Sequence, residues 1–399
     1  MNVSQRARSL VPSATLAISA KARQLRAEGV DVISFAAGEP DFDTPAHIKE
    51  AGIQAIREGF TKYTTNSGID ELKDAVATKL KRDNGLNYAR NQILISCGGK
   101  HSLYNVFQAL VEEGDEVIVP APYWVSFPEQ VKLCQATPVI APTAERDGFR
   151  VSRRTVEPHL TERTKLVLLN TPSNPTGAAL TREELGGLAA LAMERNLWLL
   201  ADETYEALVY DGFQHTSVAS LGEETYRRTV LVNSLSKAYA MTGWRIGYAA
   251  GPADVIKAMD GLQSQMTSNA TSIAQRAAVA ALIGDQEPTR RMREEFAARR
   301  RVILDRLTAM PGVRCGSPEG AFYVFPNVSA LYGKRAESSP APITNSTEIS
   351  AYLLDAARIA VVPGVEFGSD AHIRLSYATS TANIERGMER MAEALARLR

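Results

Sequence analysis

Lys237 ends the segment Asn233-Ser234-Leu235-Ser236-Lys237, just past an apolar run and among small hydroxyl side chains. A primary amine held out of water gives up its proton more readily and becomes a nucleophile toward carbonyl carbon. Three other segments carry groups of comparable interest. Leu199-Leu-Ala-Asp202-Glu203-Thr-Tyr205 ends an apolar run on a carboxylate, with a phenol three residues on. Asn170-Thr-Pro-Ser-Asn174-Pro-Thr-Gly177 follows another run and closes in Pro and Gly. Thr242-Gly-Trp-Arg245-Ile-Gly247 sets an arginine eight residues after the lysine, where a further run begins. Singly, each has an ordinary structural reading. A lysine after a strand is usually a solvated loop residue, and Asp202 serves equally as a helix N-cap. Tyr205 reads as a core aromatic, and Arg245 as half of a surface ion pair worth under ~1 kcal/mol. Together they fit one chemistry. An aldehyde cofactor needs an amine nucleophile and a carboxylate that keeps a ring nitrogen protonated. It also needs donors for a ring oxygen, and a cation with hydroxyls for a phosphate.

The elements that must position these groups are legible as alternating patterns. Short runs at Ile93–Ser96, Glu116–Val119, Pro138–Ala141, Leu166–Leu169, Trp198–Ala201, Val230–Val232 and Ile246–Ala250 are apolar on both faces. Helical stretches such as Gly68–Arg82 and Arg182–Arg195 separate them. That grammar predicts an α/β fold with a mostly parallel seven-stranded sheet covered by helices. Ligands in such sheets sit at the carboxyl ends of the strands, where these segments fall. Glu287–Ala309 is a long charged helix that leaves this layer. After it, Gly320–Phe325, Ile359–Pro363 and His372–Tyr377 read as strands and Ile384–Leu398 as an amphipathic helix. The expected division is an arm at 1–46 packed on a smaller α+β domain, a large domain at 47–286 and the smaller domain at 287–399. The Ser/Pro stretch Glu337–Ser346 reads as an exposed loop.

Composition narrows the function classes. Lys+Arg and Asp+Glu number 45 each, so no net field draws in nucleic acid or an anionic membrane. Nowhere do apolar residues approach the ~18–20 in a row that a membrane span needs. Cys97, Cys134 and Cys315 are odd in number and lack a CxxC, which suits a reduced cytoplasm rather than disulfides or zinc. The five histidines form no HxxxH or HxH pair, so no metal is expected. The basic N-terminus (Arg6, Arg8, Lys21, Arg23, Arg26) is read as a folded arm rather than a transit peptide.

Ser234-Leu-Ser-Lys237-Ala-Tyr-Ala-Met-Thr-Gly-Trp-Arg245-Ile-Gly resembles the lysine signature of class I aminotransferases, fold-type I enzymes that use pyridoxal 5′-phosphate (PLP). Asn174-Pro-Thr-Gly177 and Asp202-Glu-Thr-Tyr205 match that family at the right spacing, as do Ala37-Gly38-Glu-Pro-Asp-Phe-Asp and Ile373-Arg374-Leu-Ser-Tyr-Ala. The match runs from Val11 to the C-terminus. The resemblance implies that Lys237 carries PLP as an internal aldimine and then shuttles a proton, in a ping-pong reaction. It implies that Asp202 pairs with the pyridinium nitrogen, that Asn174 and Tyr205 hold the ring oxygen, and that Trp124 stacks on the ring. Gly99, the backbone N–H of Lys100, Ser234, Ser236 and Arg245 become the phosphate cup, and Arg374 receives the substrate α-carboxylate with the Gly38 backbone assisting. Tyr63 matches a tyrosine that reaches the neighbouring subunit's phosphate, which implies a homodimer with shared sites. Ordinary readings stand beside three of these: Arg374 as an outward strand charge, Trp124 as core, and Lys100 as a solvated loop charge or second phosphate contact.

The resemblance also bears on substrate. In the better-known aspartate aminotransferases an arginine of the partner subunit binds the side-chain carboxylate. The matching stretch, Gln263-Ser-Gln-Met-Thr-Ser-Asn-Ala-Thr-Ser272, contains no arginine. Cys97-Gly-Gly-Lys100 resembles the mostly prokaryotic branch, in which a cup lysine takes that role. Pro12-Ser-Ala-Thr15-Leu resembles members that also transaminate prephenate, with Thr15 as the added contact or simply a turn or N-cap hydroxyl. Leu331-Tyr-Gly points the same way. The expected activity is aspartate:2-oxoglutarate aminotransfer, with prephenate as a second acceptor and amino acids and 2-oxo acids as partners. Alanine or aromatic aminotransferases and β-lyases remain as alternatives. A nicotinamide dehydrogenase would want GxGxxG after an early strand, which is absent. A regulator would want a basic helix-turn-helix ahead of the match, which starts too early to leave room.

Overall fold

A computed structural model describes residues 3–4, 7–8, 10, 14–336 and 341–399. Val11, Pro12 and Ser13, and residues 337–340 of the Ser/Pro stretch, lie outside the described residues.

All seven apolar runs become strands of one sheet. After a short β1 (Ile33–Ser34), they are β2 (Ile93–Ser96), β3 (Glu116–Ala121), β4 (Thr137–Pro142), β5 (Thr164–Asn170), β6 (Trp198–Asp202), β7 (Thr229–Ser234) and β8 (Gly247–Ala250). Their spatial order is β2-β8-β7-β6-β5-β3-β4, with β8 antiparallel to both neighbours and the pairs from β7 to β4 parallel. Parallel neighbours need crossover connections, and helices Ser126–Leu133 and Arg182–Glu194 supply two of them. Residues of β2, β7 and β8 are buried throughout, which is why these strands read as continuous apolar runs. Strand β4 departs from that expectation. It lies at one edge of the sheet and, unlike β2 at the other edge, is largely open to solvent, with Ile140 38% exposed.

Register places the chemistry. Asn170 and Asp202 are Cα partners at the ends of β5 and β6, and Ser234 pairs with Gly247 at the end of β7. The turns that follow carry Asn174, Tyr205 and Lys237 to the same rim.

A second core forms around Phe296, Phe322, Tyr323, Leu353, Leu375 and Tyr377, under helices Glu287–Thr308, Ser346–Ala357 and Thr381–Ala396. Its strands are β9 (Tyr323–Val324), β10 (Ile359–Ala360), β11 (Val362–Pro363) and β12 (Ile373–Ser376). The predicted strand Ile359–Pro363 is two strands in two sheets, because β10 pairs with β1 while β11 pairs with β12. Phe35 joins them, its amide donating to Ala360 and its carbonyl accepting from Ser376, both at 2.8 Å. The predicted strand Gly320–Phe325 shrinks to Tyr323–Val324 for a physical reason. Gly320 and Ala321 donate instead to the carbonyls of Gly177 and Leu208, which ties this core to the rim of the large sheet. The Ser/Pro stretch is not an open loop throughout: Ile343 is buried and bonds back to Lys334. No helix among the described residues is long and apolar enough to cross a membrane.

Candidate active site

A cavity of about 810 Å³ opens at the carboxyl rim, between the large sheet and the second core. Its floor holds Lys237, on the short helix Leu235–Ala238 that β7 runs into. The amine donates to the Gly38 carbonyl. Burial lowers its pKa to about 8; Glu39 opposes the shift, and the cations Arg374 and Arg245 assist it. Near neutral pH a usable fraction of such a lysine is the free base, which is what a carbonyl nucleophile must be.

Asp202 lies beside it. Burial pushes its carboxyl up to about 6, against the pull of bonds from Thr204, whose amide donates to Oδ1 at 3.2 Å. Among the described residues no ion pair reaches it. A buried carboxylate without a cation partner is well placed to hold a charged N–H of a ligand.

Arg374, on β12, is 1% exposed and faces no carboxylate among the described residues. Its Nη1 donates to Asn174 Oδ1 and its Nη2 to the Ala36 carbonyl, both at 2.9 Å, while Nε is buried without a partner. The guanidinium lies over the rings of Tyr323 and Phe367, at 4.5 and 5.0 Å from their centroids. It is therefore held flat by π-faces and lacks only an anion. The reading of Arg374 as an outward strand charge does not survive this burial.

One end of the cavity is built for an anion. Helix Gly99–Leu110 begins there, directly after β2, and presents its free N–H groups. Ser234, Ser236, Lys100 and Arg245 line the same end. Glycines permit the approach. A Cβ on Gly98 (φ +91°) would fall 2.3 Å from the Arg245 guanidinium, and one on Gly247 would meet the Gly99 nitrogen at 2.3 Å. Asn233 holds the neighbouring strand end, accepting from the Ser234 amide at 2.7 Å and donating to Glu206. Glu206 is engaged in turn by Lys79 and Asn84.

Trp124 lies on the wall, with the Lys100 ammonium 4.8 Å from its ring centroid. Burial and Arg245 lower the Lys100 pKa. The Tyr205 and Tyr323 hydroxyls meet at 2.8 Å. Thr15, near the start of helix Ala14–Ala27, lines the mouth with Arg23 and Arg386. Of the residues singled out from sequence, Tyr63 alone lies outside the cavity, 90% exposed on the surface. Sequence reading missed Tyr323, Arg23 and Arg386. Tyr323 carried a weak signal, a polar-tipped aromatic within a predicted strand.

An amine, an unpaired carboxylate, the side chains of Asn174 and Tyr205 and an anion end thus share one cavity. They fit a flat, phosphate-bearing pyridine aldehyde, with Arg374 left over for a ligand carboxylate.

The family model described as "Aminotransferase class I and II" matches residues 30–391. The aspartate aminotransferase of Geobacillus stearothermophilus is 48% identical over 391 residues, 98% of each chain. The aspartate/prephenate aminotransferase of Cereibacter sphaeroides is 48% identical over 370 residues, 92% of each chain. The crystal structure of the Rhizobium meliloti aspartate aminotransferase superposes with a TM-score of 0.96 at 44% identity, covering 100% of both chains.

Proposed function

The chain belongs to the class I and II aminotransferase family, and from that premise we propose an aspartate:2-oxoglutarate aminotransferase that holds PLP on Lys237 and also accepts prephenate. It is a transaminase of the fold-type I architecture, acting on amino acids and 2-oxo acids. The observation that carries the finer reading is the convergence of Lys237, Asp202 and Arg374 on one cavity with an anion-binding end.

When bound, PLP supplies an electron-withdrawing ring that lets the substrate Cα–H bond break and stores the amino group between half-reactions. The chain's own residues do the rest. Lys237 is the amine that would bind the aldehyde carbon, and the same amine is placed to move a proton at the substrate Cα. Asp202 would keep the ring nitrogen protonated, Asn174 and Tyr205 would donate to the ring oxygen, and Trp124 would cover the ring. Gly99, the backbone N–H of Lys100, Ser234, Ser236 and Arg245 would hold the phosphate. Arg374, with Gly38 beside it, clamps the α-carboxylate and so fixes which face of Cα meets Lys237.

Lys100, at the cup and against Trp124, is the cation assigned to the distal carboxylate of a dicarboxylic substrate. The Thermus thermophilus relative, whose crystal structure contains the dicarboxylate maleate, supports that class. Thr15 at the mouth is the candidate contact for the bulkier prephenate. The exposure of Tyr63, away from its own cavity, supports a homodimer in which it serves the other site. Free Cys97, Cys134 and Cys315 support a reducing, cytoplasmic setting. A division near residues 46 and 286 is supported by the second core, which draws mostly on residues outside 47–286, with Tyr205, Leu208 and Tyr210 reaching into it from the large domain. Steady-state assays with aspartate, glutamate, alanine and phenylalanine as donors test the reading. Dicarboxylic donors should lead in kcat/KM, and preference for alanine or phenylalanine would overturn the aspartate assignment.

A further inference from the structure

Tyr323 is a residue without an assigned role at the centre of the site. It is fully buried in β9, yet it lines the cavity. That hydroxyl lies 2.8 Å from the Tyr205 hydroxyl. A Cβ built on Gly38 would come within 3.4 Å of it, so the Gly38 backbone that accepts from Lys237 packs against the same phenol. The opposite demand falls on the ring face, which carries the Arg374 guanidinium at 4.5 Å.

Hydrogen-bond arithmetic gives this arrangement a direction. Each phenol has one proton. If Tyr205 spends its proton on Tyr323, it has none for a ligand. If Tyr323 donates, Tyr205 keeps its proton for the cavity and, as an acceptor, becomes a more polarised donor. The neighbouring Asn174 is set by the same logic, since its oxygen already accepts from Arg374 and only its NH₂ remains free.

We infer that Tyr323 is a positioning residue that acts through two others, donating to Tyr205 so that Tyr205 donates to the ring oxygen of the bound cofactor, and carrying Arg374 on its ring. The inference rests on the PLP reading of the site and adds a specific partner to it. A single side chain then couples the ring-oxygen end to the α-carboxylate end.

The test uses PLP-loaded enzyme and two variants. Tyr323→Phe keeps the ring and removes only the hydroxyl. A weaker Tyr205 donor stabilises the ring oxygenate less, so the pH midpoint of the cofactor's visible absorbance should rise by about half a unit to one unit. KM for amino acids should stay within about twofold of wild type, because the face under Arg374 remains. Tyr323→Leu removes both, and KM for aspartate and alanine should rise together by roughly 3–10-fold. Cofactor content and thermal unfolding of each variant identify any loss of fold; should Tyr323→Leu fail to fold, the Tyr323→Phe midpoint decides alone. An unchanged midpoint in Tyr323→Phe overturns the inference while leaving the PLP reading intact. A wild-type protein that binds no PLP overturns both.

Discussion

The Arg374 guanidinium donates to the Asn174 side-chain oxygen at 2.9 Å, and this one bond decides which way the amide faces. A guanidinium has no acceptor, so only the amide oxygen can face it, and the Asn174 NH₂ is left for an anion in the cavity. On the proposed reading, the α-carboxylate site and the ring-oxygen site share this contact.

Arg374→Lys is expected to weaken every amino-acid substrate alike, since all share the α-carboxylate. A lysine cannot restore the bidentate fork or lie flat on Tyr323 and Phe367. The expected loss in kcat/KM is about 1.5–3 kcal/mol, roughly 10–150-fold, for aspartate and alanine alike. A loss confined to dicarboxylic donors would mean that the two carboxylate sites have been exchanged.

Asp202→Asn should keep its cofactor but lose most of its kcat, because an amide cannot sustain a ring N–H⁺. It also has a signature without cofactor. The Asp202 carboxyl is raised by burial to about 6 from 3.8, so the folded apo-protein binds more protons than the unfolded chain between those values. Its contribution to stability is present below about 4 and lost as pH rises through about 6. Apo Asp202→Asn should lack that descending segment when urea midpoints are compared across pH 4–7.

Lys237 runs the other way. Its pKa is lowered by burial to about 8 from 10.5, so the unfolded chain binds the extra proton between those values and stability from this group rises with pH there. The same shift governs capture of the cofactor. PLP uptake by apoenzyme, followed by absorbance, should accelerate with pH to a midpoint at about 8. A midpoint near that of an ordinary lysine would remove the argument for an activated amine.

Lys100→Ala is expected to reduce aspartate, glutamate and prephenate turnover by roughly 10–150-fold, the loss of a charge-assisted hydrogen bond, while sparing alanine. Thr15→Val should depress prephenate turnover more than aspartate turnover. Equal losses across all donors in Lys100→Ala would make it a phosphate contact instead.

The large sheet was legible because all its strands but the exposed β4 are covered on both faces, so burial writes an apolar run into them. Its rim was legible because Asp202, Ser234 and Lys237 follow those runs within a few residues. The second core was harder to read. Strand β1 is two residues long and its partner β10 lies at Ile359, a pairing that local pattern cannot announce. Ala321 leaves its expected strand to bond Leu208, a tertiary contact overriding a strand-like run. Tyr323 escaped for a related reason: in sequence it is one more aromatic of a buried strand, and only the fold sets it between Tyr205 and Arg374. The cations at the mouth, Arg23 and Arg386, sit on helices whose outward charges look like any solvated face.

On the proposed reading, Lys237 holds the group that takes the amino group from aspartate before any 2-oxo acid binds. Mixing PLP-loaded enzyme with L-aspartate alone tests it directly, with oxaloacetate and the visible absorbance followed together. About one equivalent of oxaloacetate per bound cofactor, released as the aldehyde absorbance disappears, is the predicted result, and Lys237→Ala should release almost none. Oxaloacetate that appears only after a 2-oxo acid is added, or an undiminished yield from Lys237→Ala, would contradict it.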